Sequence, residues 1–284
     1  MTIVLGANGH VGSAVAQSLL RQGQEVLVVL HKQDQVDDWK QLGARSAVAD
    51  VKDSSALNHI FKHGDNAFLL NPPSPPNLDA VVEETTSVDA ILKALQGSGL
   101  KKIVAQSTYG AQPGKNLGDL GVLYHFERGL MQQTIPTTIV RGAYYMSNWD
   151  MSLKTANREG IVHSFYPVDF ALPMVAPEDL SAFAARFLLE AEDHTGLYFV
   201  EGPQQYSALD VAAAFSDALG KEVKAVETPR EKWKDTLISQ GFSSASADSF
   251  IRMTQATLDS KETPADVLRG KISLLDYING LVSR

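Results

Sequence analysis

Residues 3–12 of the chain read IVLGANGHVG. A short apolar run leads into three glycines, Gly6, Gly9 and Gly12, with the spacing G-x-x-G-x-x-G. After them, apolar and small side chains recur every three or four residues as far as Leu19, which is typical of one buried helix face. The segment therefore predicts a buried strand, a tight turn and an amphipathic helix.

Three glycines at this spacing fit a turn that holds a dinucleotide. We expect Gly6 to permit the turn, Gly9 to let a pyrophosphate lie against the backbone, and Gly12 to let the helix pack on the strand. Backbone N–H groups and the positive end of the helix dipole would then meet the phosphates. A glycine-rich loop without a ligand is the alternative, which the flanking strand and helix disfavour. The cofactor contacts expected in this turn are Gly6, Asn8, Gly9, His10, Val11 and Gly12.

The composition is that of an ordinary globular protein. The 284 residues are 44% hydrophobic and 20% charged, and the net charge is −8 without a cluster of lysine and arginine. This charge disfavours nucleic acid or an anionic membrane surface as the main partner. The chain has no cysteine and therefore no cysteine metal site, and we expect no metal. The glycine motif starts at residue 6, which leaves no room for a signal peptide, and no apolar run could span a membrane, so we expect a cytoplasmic protein.

Apolar runs alternate with helical patterns through the first half of the chain. Val26–Leu30 is a continuous apolar run of the kind found in a strand that is covered on both faces. Strands separated by helices require right-handed crossovers, which give a parallel sheet. We therefore predict an α/β fold with a doubly wound parallel sheet of the Rossmann type. The further predicted strands are 46–49, 67–70, 103–105 and 137–140, and the predicted helices between them are 56–62, 78–95 and 120–131.

The pattern changes from Tyr144 onward, where helices become longer and apolar runs fewer. We expect residues 1–143 to form the dinucleotide-binding core and residues 144–284 to form a smaller C-terminal α/β cap that completes a cleft over it. The two parts are expected to interleave as a single unit. In the second part we predict helices over 177–188 and 208–219, strands over 197–200 and 223–226, and helix from Lys232 to the C-terminus, interrupted at Gly241 and Pro264.

The loops after the strands should line the cofactor site, because ligands of doubly wound sheets lie across the carboxyl ends of the strands. After the second strand an acid would select NAD, whereas this chain has His31 and Lys32, whose charge suits the 2′-phosphate of NADP(H). An ordinary surface role for Lys32 is the alternative. After the third strand, Asp50 can accept from the adenine amino group and Val51 can pack on the ring, although capping of the next helix explains Asp50 equally well.

Residues 71–77 follow the fourth predicted strand and read NPPSPPN. Four prolines restrict this loop and remove amide donors, so it should form a stiff wall near the ribose and nicotinamide. We expect Asn71 and Pro72 to contact the cofactor. A surface polyproline segment recognised by another protein is the competing interpretation.

Three further motifs follow in the second quarter of the chain. Glu127 lies on a predicted helix, residues 135–141 read IPTTIVR, and residues 144–148 read YYMSN. Together with the N-terminal glycines, these motifs resemble those of the NmrA-like atypical short-chain dehydrogenases. The resemblance covers most of the chain, and the Thr-Ile-Val-Arg strand with its upstream glutamate is a more specific marker than the glycines. It implies an NAD(P)(H)-binding protein that either reduces quinone-like or dye acceptors or acts as a regulator.

The resemblance also implies where a catalytic pair would stand. Members of the wider superfamily reduce carbonyls with a Tyr-x-x-x-Lys pair, in which the tyrosine donates a proton as hydride arrives. In related sequences the tyrosine and lysine stand at the positions of Asp119 and Leu123, so the pair is absent here. The remaining catalytic candidates are Tyr124, which is out of register, and His125. His125 is turned about 200° around the helix from Leu123, so a surface histidine explains it at least as well.

Hydroxyl and aromatic side chains near the expected cleft are candidates for substrate binding. Ser107 takes the place where the superfamily keeps a substrate-binding serine, and it could also contact the nicotinamide ribose, although such hydroxyls can simply end a strand. Aromatic rings suit a flat acceptor, but at this spacing they also fit a core. The expected substrate-binding residues are Thr108, Tyr109, Tyr144, Tyr145 and Trp149.

Two functions of different classes follow from these observations. The first is an oxidoreductase that transfers hydride from NADPH to a quinone-like or conjugated small molecule, which delocalises the incoming charge. The second is a regulator without catalysis, whose affinity for a protein partner changes with the bound dinucleotide. The missing Tyr-Lys pair favours the regulator and the aromatic cluster favours the enzyme, which we take as the prediction. The acceptor and the oligomeric state, including a homodimer, stay open.

Overall fold

The computed structural model describes residues 1–260 and 264–283, and its strands and helices are numbered in chain order. No helix within these two ranges is long and apolar enough to cross a membrane. The strands are β1 (Thr2–Leu5), β2 (Val26–Leu30), β3 (Arg45–Val48), β4 (Asn66–Leu69), β5 (Lys102–Thr108), β6 (Thr137–Gly142), β7 (Tyr144–Tyr145), β8 (Ile161–Ser164), β9 (Leu172–Val175), β10 (Gly196–Glu201), β11 (Gln205–Tyr206), β12 (Lys224–Glu227) and β13 (Val267–Arg269). The helices are α1 (His10–Arg21), α2 (Val36–Gln41), α3 (Ser54–Phe61), α4 (Ala80–Ala94), α5 (Asp119–Met131), α6 (Ser152–Glu159), α7 (Pro177–Leu189), α8 (Ala208–Leu219), α9 (Trp233–Ser239), α10 (Ser244–Asp259) and α11 (Leu274–Val282).

The central sheet contains eight parallel strands of the described chain in the order β3-β2-β1-β4-β5-β6-β10-β13. The strand order reverses beside β1, because β2 lies on one side of it and β4 on the other. Such a reversal opens a crevice at the carboxyl ends of the strands. The structure thus confirms the predicted doubly wound, Rossmann-type α/β fold.

Each face of the sheet is covered by helices. Successive side chains of a strand point to opposite faces, so Val4 of β1 packs with α1 and α7 in a first core, while Ile3 packs with α3, α4 and α5 in a second core. The two helices of the first face are joined where the Ser181 hydroxyl donates to the carbonyl oxygen of Val11, at 3.0 Å. Because both faces are covered, the strands are continuous apolar runs, as β2 shows with five buried residues.

The C-terminal half contributes to the central sheet and also forms a smaller layer. Its strands β10 and β13 extend the central sheet beyond β6. Within the described residues, β7, β9 and β11 form a second sheet, and β8 pairs with β12. A third core, which includes Trp149, Phe215 and Tyr277, packs α8 and α11 against these short strands. The C-terminal half is therefore continuous with the central sheet and also has a hydrophobic core of its own.

One prediction for the C-terminal segment is wrong. The sequence predicts helix from Lys232 onward, and α9, α10 and α11 form in this segment, but residues 267–269 form β13 instead. Leu268 pairs with Val200 in the parallel ladder with β10, and a strand of three residues is too short to leave a periodic pattern in the sequence. Residues 261–263 and 284, which the same prediction included, lie outside the described residues.

Candidate functional site

The three glycines after β1 meet different local demands. Gly6 has a φ of +77°, which side chains rarely adopt, and it turns the chain sharply after the strand. A Cβ on Gly12 would collide with the carbonyl oxygen of Gly6, so only glycine lets α1 pack this closely on the turn. Gly9 has a φ of −94°, and a Cβ there would approach only the oxygen of Gly6, at 3.6 Å. The space in front of Gly9 is therefore open.

Helix α1 begins at this open space without a side-chain cap. Gly9 is the N-cap residue, and the first helical bond runs from the N–H of Ser13 to the oxygen of Gly9, at 3.0 Å. Backbone N–H groups that precede the first helical bond have no partner within the helix. Together with the helix dipole they can bind an anionic group. These N–H groups belong to His10, Val11 and Gly12. The exposed side chains beside them are those of Asn8 and His10, and Nε2 of His10 lies 3.7 Å from Oδ2 of Asp150.

The loop after β2 carries the cation of Lys32, and the loop after β3 carries a carboxylate, Asp50, that is hydrogen-bonded within its own turn. His31 and Lys32 are both exposed, and within the described residues no carboxylate forms an ion pair with Lys32. Oδ1 of Asp50 accepts a hydrogen bond from the N–H of Lys52, at 2.9 Å, so Asp50 caps its own turn. Val51 is half-buried against the second core. The cation after β2 thus remains available to an anion.

The proline-rich loop after β4 is held in place by α10, a contact that the sequence did not predict. The hydroxyls of Ser243 and Ser246 both donate to the carbonyl oxygen of Leu78, each at 2.7 Å. The N–H of Ser243 also donates to the oxygen of Pro76, at 2.9 Å. Because prolines lack N–H groups, the loop accepts these bonds through its carbonyls. The loop is therefore a fixed wall.

Several buried polar atoms have no partner within the described residues. They include Oδ1 of Asn71, Oε1 of Gln106 and Nε1 of Trp149. Pro72, beside Asn71, is half-buried. Buried polar atoms are nearly always hydrogen-bonded, so atoms like these are expected to bind ordered water or a ligand. Asn71 lies on the loop after β4 and Gln106 lies near the end of β5, which is where a doubly wound sheet holds its ligand.

The marker glutamate and arginine form a buried ion pair below the cleft. Nε and Nη2 of Arg141 donate to the two carboxylate oxygens of Glu127, at 2.8 and 2.7 Å, and Nη2 also donates to the oxygen of Ala111, at 3.0 Å. The hydroxyl of Ser107 donates to Glu127 as well, and Ser107 is 1% exposed. The Ser107 hydroxyl therefore belongs to this buried ion pair, because the buried carboxylate needs donors.

The residues after Ser107 also take structural positions. Thr108 is half-buried and ends β5 opposite Gly142. The hydroxyl of Tyr109 donates to Oε1 of Glu201, at 2.9 Å, and Arg269 donates to the other oxygen, at 3.0 Å. Tyr109 thus ties the end of β5 to β10 and β13.

Aromatic side chains after β6 form a wall of packed rings. Tyr144 is half-buried, with Tyr166 edge-on at 6.0 Å and Trp149 at 6.2 Å between ring centroids. Tyr145 is hydrogen-bonded to Gln106 of β5. Burial raises the pKa of both tyrosines above the usual range, so their hydroxyls are neutral. Trp149 is 5% exposed and belongs to the third core, so it supports this wall from behind.

The two catalytic candidates on α5 are not brought to this wall. Nε2 of His125 lies 2.7 Å from Oδ1 of Asp89 on α4, and both side chains are at least half exposed to solvent. Tyr124 is half-buried on the same helix. Within the described chain, the hydrogen bonds of Gln106, Ser107 and Tyr109 go to other residues. The structure therefore places His125 on the outer surface of the α4–α5 pair.

A pair of carboxyl groups that the sequence did not single out lies at the start of α5. Glu84 of α4 is 7% exposed, and its Oε1 accepts a hydrogen bond from the N–H of Ser74, at 2.9 Å. Glu84 is also hydrogen-bonded to Asp119, whose side chain reaches solvent. Burial and the neighbouring Asp119 raise the pKa of Glu84 to about 8. The sequence drew attention to position 119 because the usual tyrosine is absent there. It could not identify Glu84 on α4 as the partner of Asp119.

The sheet, the glycine turn and the uncapped first helix define a protein of the Rossmann class. The NmrA-like family matches residues 1–272, and the chain belongs to this family. It is 22% identical over 291 residues to the NAD(P)H azoreductase of Xenophilus azovorans. The alignment covers 100% of this chain and 94% of that protein.

Two solved structures with bound cofactor share the whole fold. The Citrobacter sp. triphenylmethane reductase complexed with NADP(H) has a TM-score of 0.80 at 18% identity, over 99% of either chain. The NADPH-dependent quinone oxidoreductase of Escherichia coli complexed with NADPH has a TM-score of 0.81 at 19% identity, again over 99% of either chain. At these identities the likeness establishes a common fold.

Proposed function

We propose that the protein is an NADPH-dependent oxidoreductase that reduces a quinone-like or other conjugated small molecule. The observation that carries this proposal is the turn at Gly9, where open space faces the uncapped start of α1 beside the reversal of strand order. Relatives named NAD(P)H azoreductase and NADPH-dependent quinone oxidoreductase support the same class of reaction. In this proposal residues 1–143 hold most of the cofactor, and residues 144–284 cover the acceptor.

The residues of the adjoining loops fit a dinucleotide. The pyrophosphate would lie against the N–H groups of α1, Lys32 would meet a 2′-phosphate, and Oδ1 of Asn71 would accept from a ribose hydroxyl. When bound, NADPH supplies the hydride. The protein contributes binding, orientation and exclusion of water, for which the braced loop at 71–79 and the aromatic wall are suited.

Lys32 should make the protein prefer NADPH over NADH. A charge-assisted hydrogen bond to the 2′-phosphate contributes about 1.5–3 kcal/mol, which corresponds to a preference of about tenfold or more. Replacement of Lys32 by Ala should remove most of this preference by weakening NADPH binding while leaving NADH binding nearly the same. Fluorescence titration with both cofactors measures the two affinities. The matched control is Lys154→Ala, which removes another exposed lysine. Equal affinities in the unmodified protein would contradict this role for His31 and Lys32.

The acceptor side of the cleft favours molecules that delocalise charge. No Tyr-Lys pair is present, so a simple aldehyde would lack the proton donor that its developing alkoxide requires. A flat conjugated acceptor can instead stack on the half-buried ring of Tyr144.

We expect NADPH oxidation with quinones and conjugated dyes and much weaker oxidation with simple aldehydes. Tyr144→Ala should raise KM or lower kcat for quinones by about tenfold, because an aromatic contact of about 1.5 kcal/mol is lost. Tyr124→Phe should have little effect, since Tyr124 is out of register on α5. Steady-state rates with a panel of acceptors measure both changes. Tight NADPH binding without turnover of any acceptor would instead indicate the dinucleotide-sensing regulator, which the missing Tyr-Lys pair also permits.

A further inference from the structure

Two carboxyl groups meet where the loop after β4, the end of β5 and the start of α5 converge. Asp119 is the first residue of α5, and its carboxyl is hydrogen-bonded to that of Glu84, which is buried behind it. The N–H of Ser74 donates to the far side of Glu84, at 2.9 Å. Burial and, as a smaller contribution, the charge of Asp119 raise the pKa of the hydroxyl of Tyr145 on β7. The pair therefore interacts with the tyrosine that follows β6, and Asp119 is exposed.

An unpartnered polar atom next to the pair indicates that a ligand belongs here. Among the described residues, Oε1 of Gln106 is buried without a partner, while the side-chain nitrogen of Gln106 donates to Tyr145. A half-used amide on β5 thus lies beside Tyr145, which itself interacts with Asp119. This is the side of β1 opposite to Lys32, where the nicotinamide end of a dinucleotide would lie.

The pair holds one proton near neutral pH. Two carboxyl groups in contact do not ionise together, because their negative charges repel at short range. Among the described residues, the ionisable groups that interact with the pair are the two carboxyls themselves and the hydroxyl of Tyr145, which stays neutral. The N–H of Ser74 can stabilise Glu84 as a carboxylate, so the shared proton can pass to Asp119.

We propose that Asp119 donates the proton that completes reduction of the acceptor and that Glu84 positions and resupplies this proton. This inference rests on the proposed reductase function. As the hydride adds to the acceptor, a new C–H or N–H bond forms and an electron pair moves to a carbonyl oxygen or azo nitrogen. The O–H bond of Asp119 then breaks and an O–H or N–H bond forms on that atom. The acceptor gains two electrons, NADPH is oxidised to NADP⁺, and the pair regains a proton from water.

Two kinds of acceptor distinguish this role from a structural one. A quinone needs a proton after it takes the hydride, whereas a cationic triarylmethane dye becomes neutral on taking hydride and needs none. For Asp119→Asn we expect the ratio of kcat with the quinone to kcat with the dye to fall about 100-fold, as is usual when a general acid is lost. Glu84→Gln should lower the same ratio about tenfold, because Asp119 remains but its proton is no longer shared.

The matched control is Asp89→Asn, which removes a carboxylate from the exposed side of α4 and should leave the ratio unchanged. An equal loss with both acceptors in Asp119→Asn would show a structural role and overturn the inference, while the proposed function stands. No turnover by the unmodified protein with either acceptor would overturn the proposed function and this inference together.

A second measurement does not depend on activity. Infrared titration of the protein without cofactor should show a protonated carboxyl band that disappears around pH 8, where Glu84 loses its proton. Glu84→Gln should remove this band, and Asp89→Asn should keep it. A protein without a protonated carboxyl at pH 7 would contradict the shared proton.

Discussion

Replacement of Gly9 by Val is expected to abolish dinucleotide binding without unfolding the protein. The turn tolerates the side chain, because Gly9 has a φ of −94° and its Cβ would meet only one backbone oxygen, at 3.6 Å. The valine methyl groups would instead fill the space in front of the N–H groups of α1, where the pyrophosphate must lie. We expect NADPH affinity to fall at least about 100-fold, which corresponds to about 2.8 kcal/mol.

The measurement is NADPH titration by fluorescence, with circular dichroism and thermal unfolding as checks on the fold. Gly280→Val is the matched control, since a Cβ on Gly280 of α11 meets no atom within 4 Å and the residue lies far along the chain. It should bind NADPH normally. A Gly9→Val protein with a native spectrum and unchanged NADPH affinity would show that the N-terminal turn does not bind the dinucleotide.

Replacement of Glu127 by Ala should lower the free energy of unfolding by about 3–5 kcal/mol. The substitution removes two charge-assisted hydrogen bonds from the buried guanidinium of Arg141, and loss of one partner of a buried ion pair carries a penalty of this size. The hydroxyl of Ser107 loses its acceptor at the same time. Urea denaturation measures the change in unfolding free energy.

An exposed ion pair provides the comparison for Glu127→Ala. Lys234 and Asp248 lie 2.8 Å apart with side chains 47% and 38% exposed, so Asp248→Ala should cost less than about 1 kcal/mol. If both substitutions had the same small effect, the Glu127–Arg141 pair would not support the sheet, and its place in the family marker would need another explanation.

The parts of the fold that depend on neighbouring residues could be predicted from the sequence. The glycine turn follows from local backbone geometry, because the φ of Gly6 and the closeness of Gly12 to the turn involve residues only a few positions apart. The doubly wound sheet follows from the alternation of apolar runs and helical patterns. β13 could not be predicted in this way, since three residues become a strand only through pairing with β10.

The site was harder to predict because the direction of a side chain depends on distant contacts. Ser107 is at the expected place along β5, but its hydroxyl donates to the carboxylate of Glu127, twenty positions away. His125 pairs with Asp89, thirty-six positions away. The carboxyl pair of Glu84 and Asp119 depends likewise on the packing of α4 against α5. The register of α5 showed that the usual tyrosine and lysine are missing at Asp119 and Leu123. It could not show that Glu84 of another helix pairs with Asp119.

The serines of α10 have a consequence for how the chain is made. Ser243 and Ser246 fix the loop at Leu78 across 165 and 168 positions of sequence. During synthesis the glycine turn leaves the ribosome first, but the loop after β4 lacks its hydrogen bonds to Ser243 and Ser246 until α10 has emerged. The final form of this loop is therefore a late product of translation, although the most recognisable motif of the chain is the earliest.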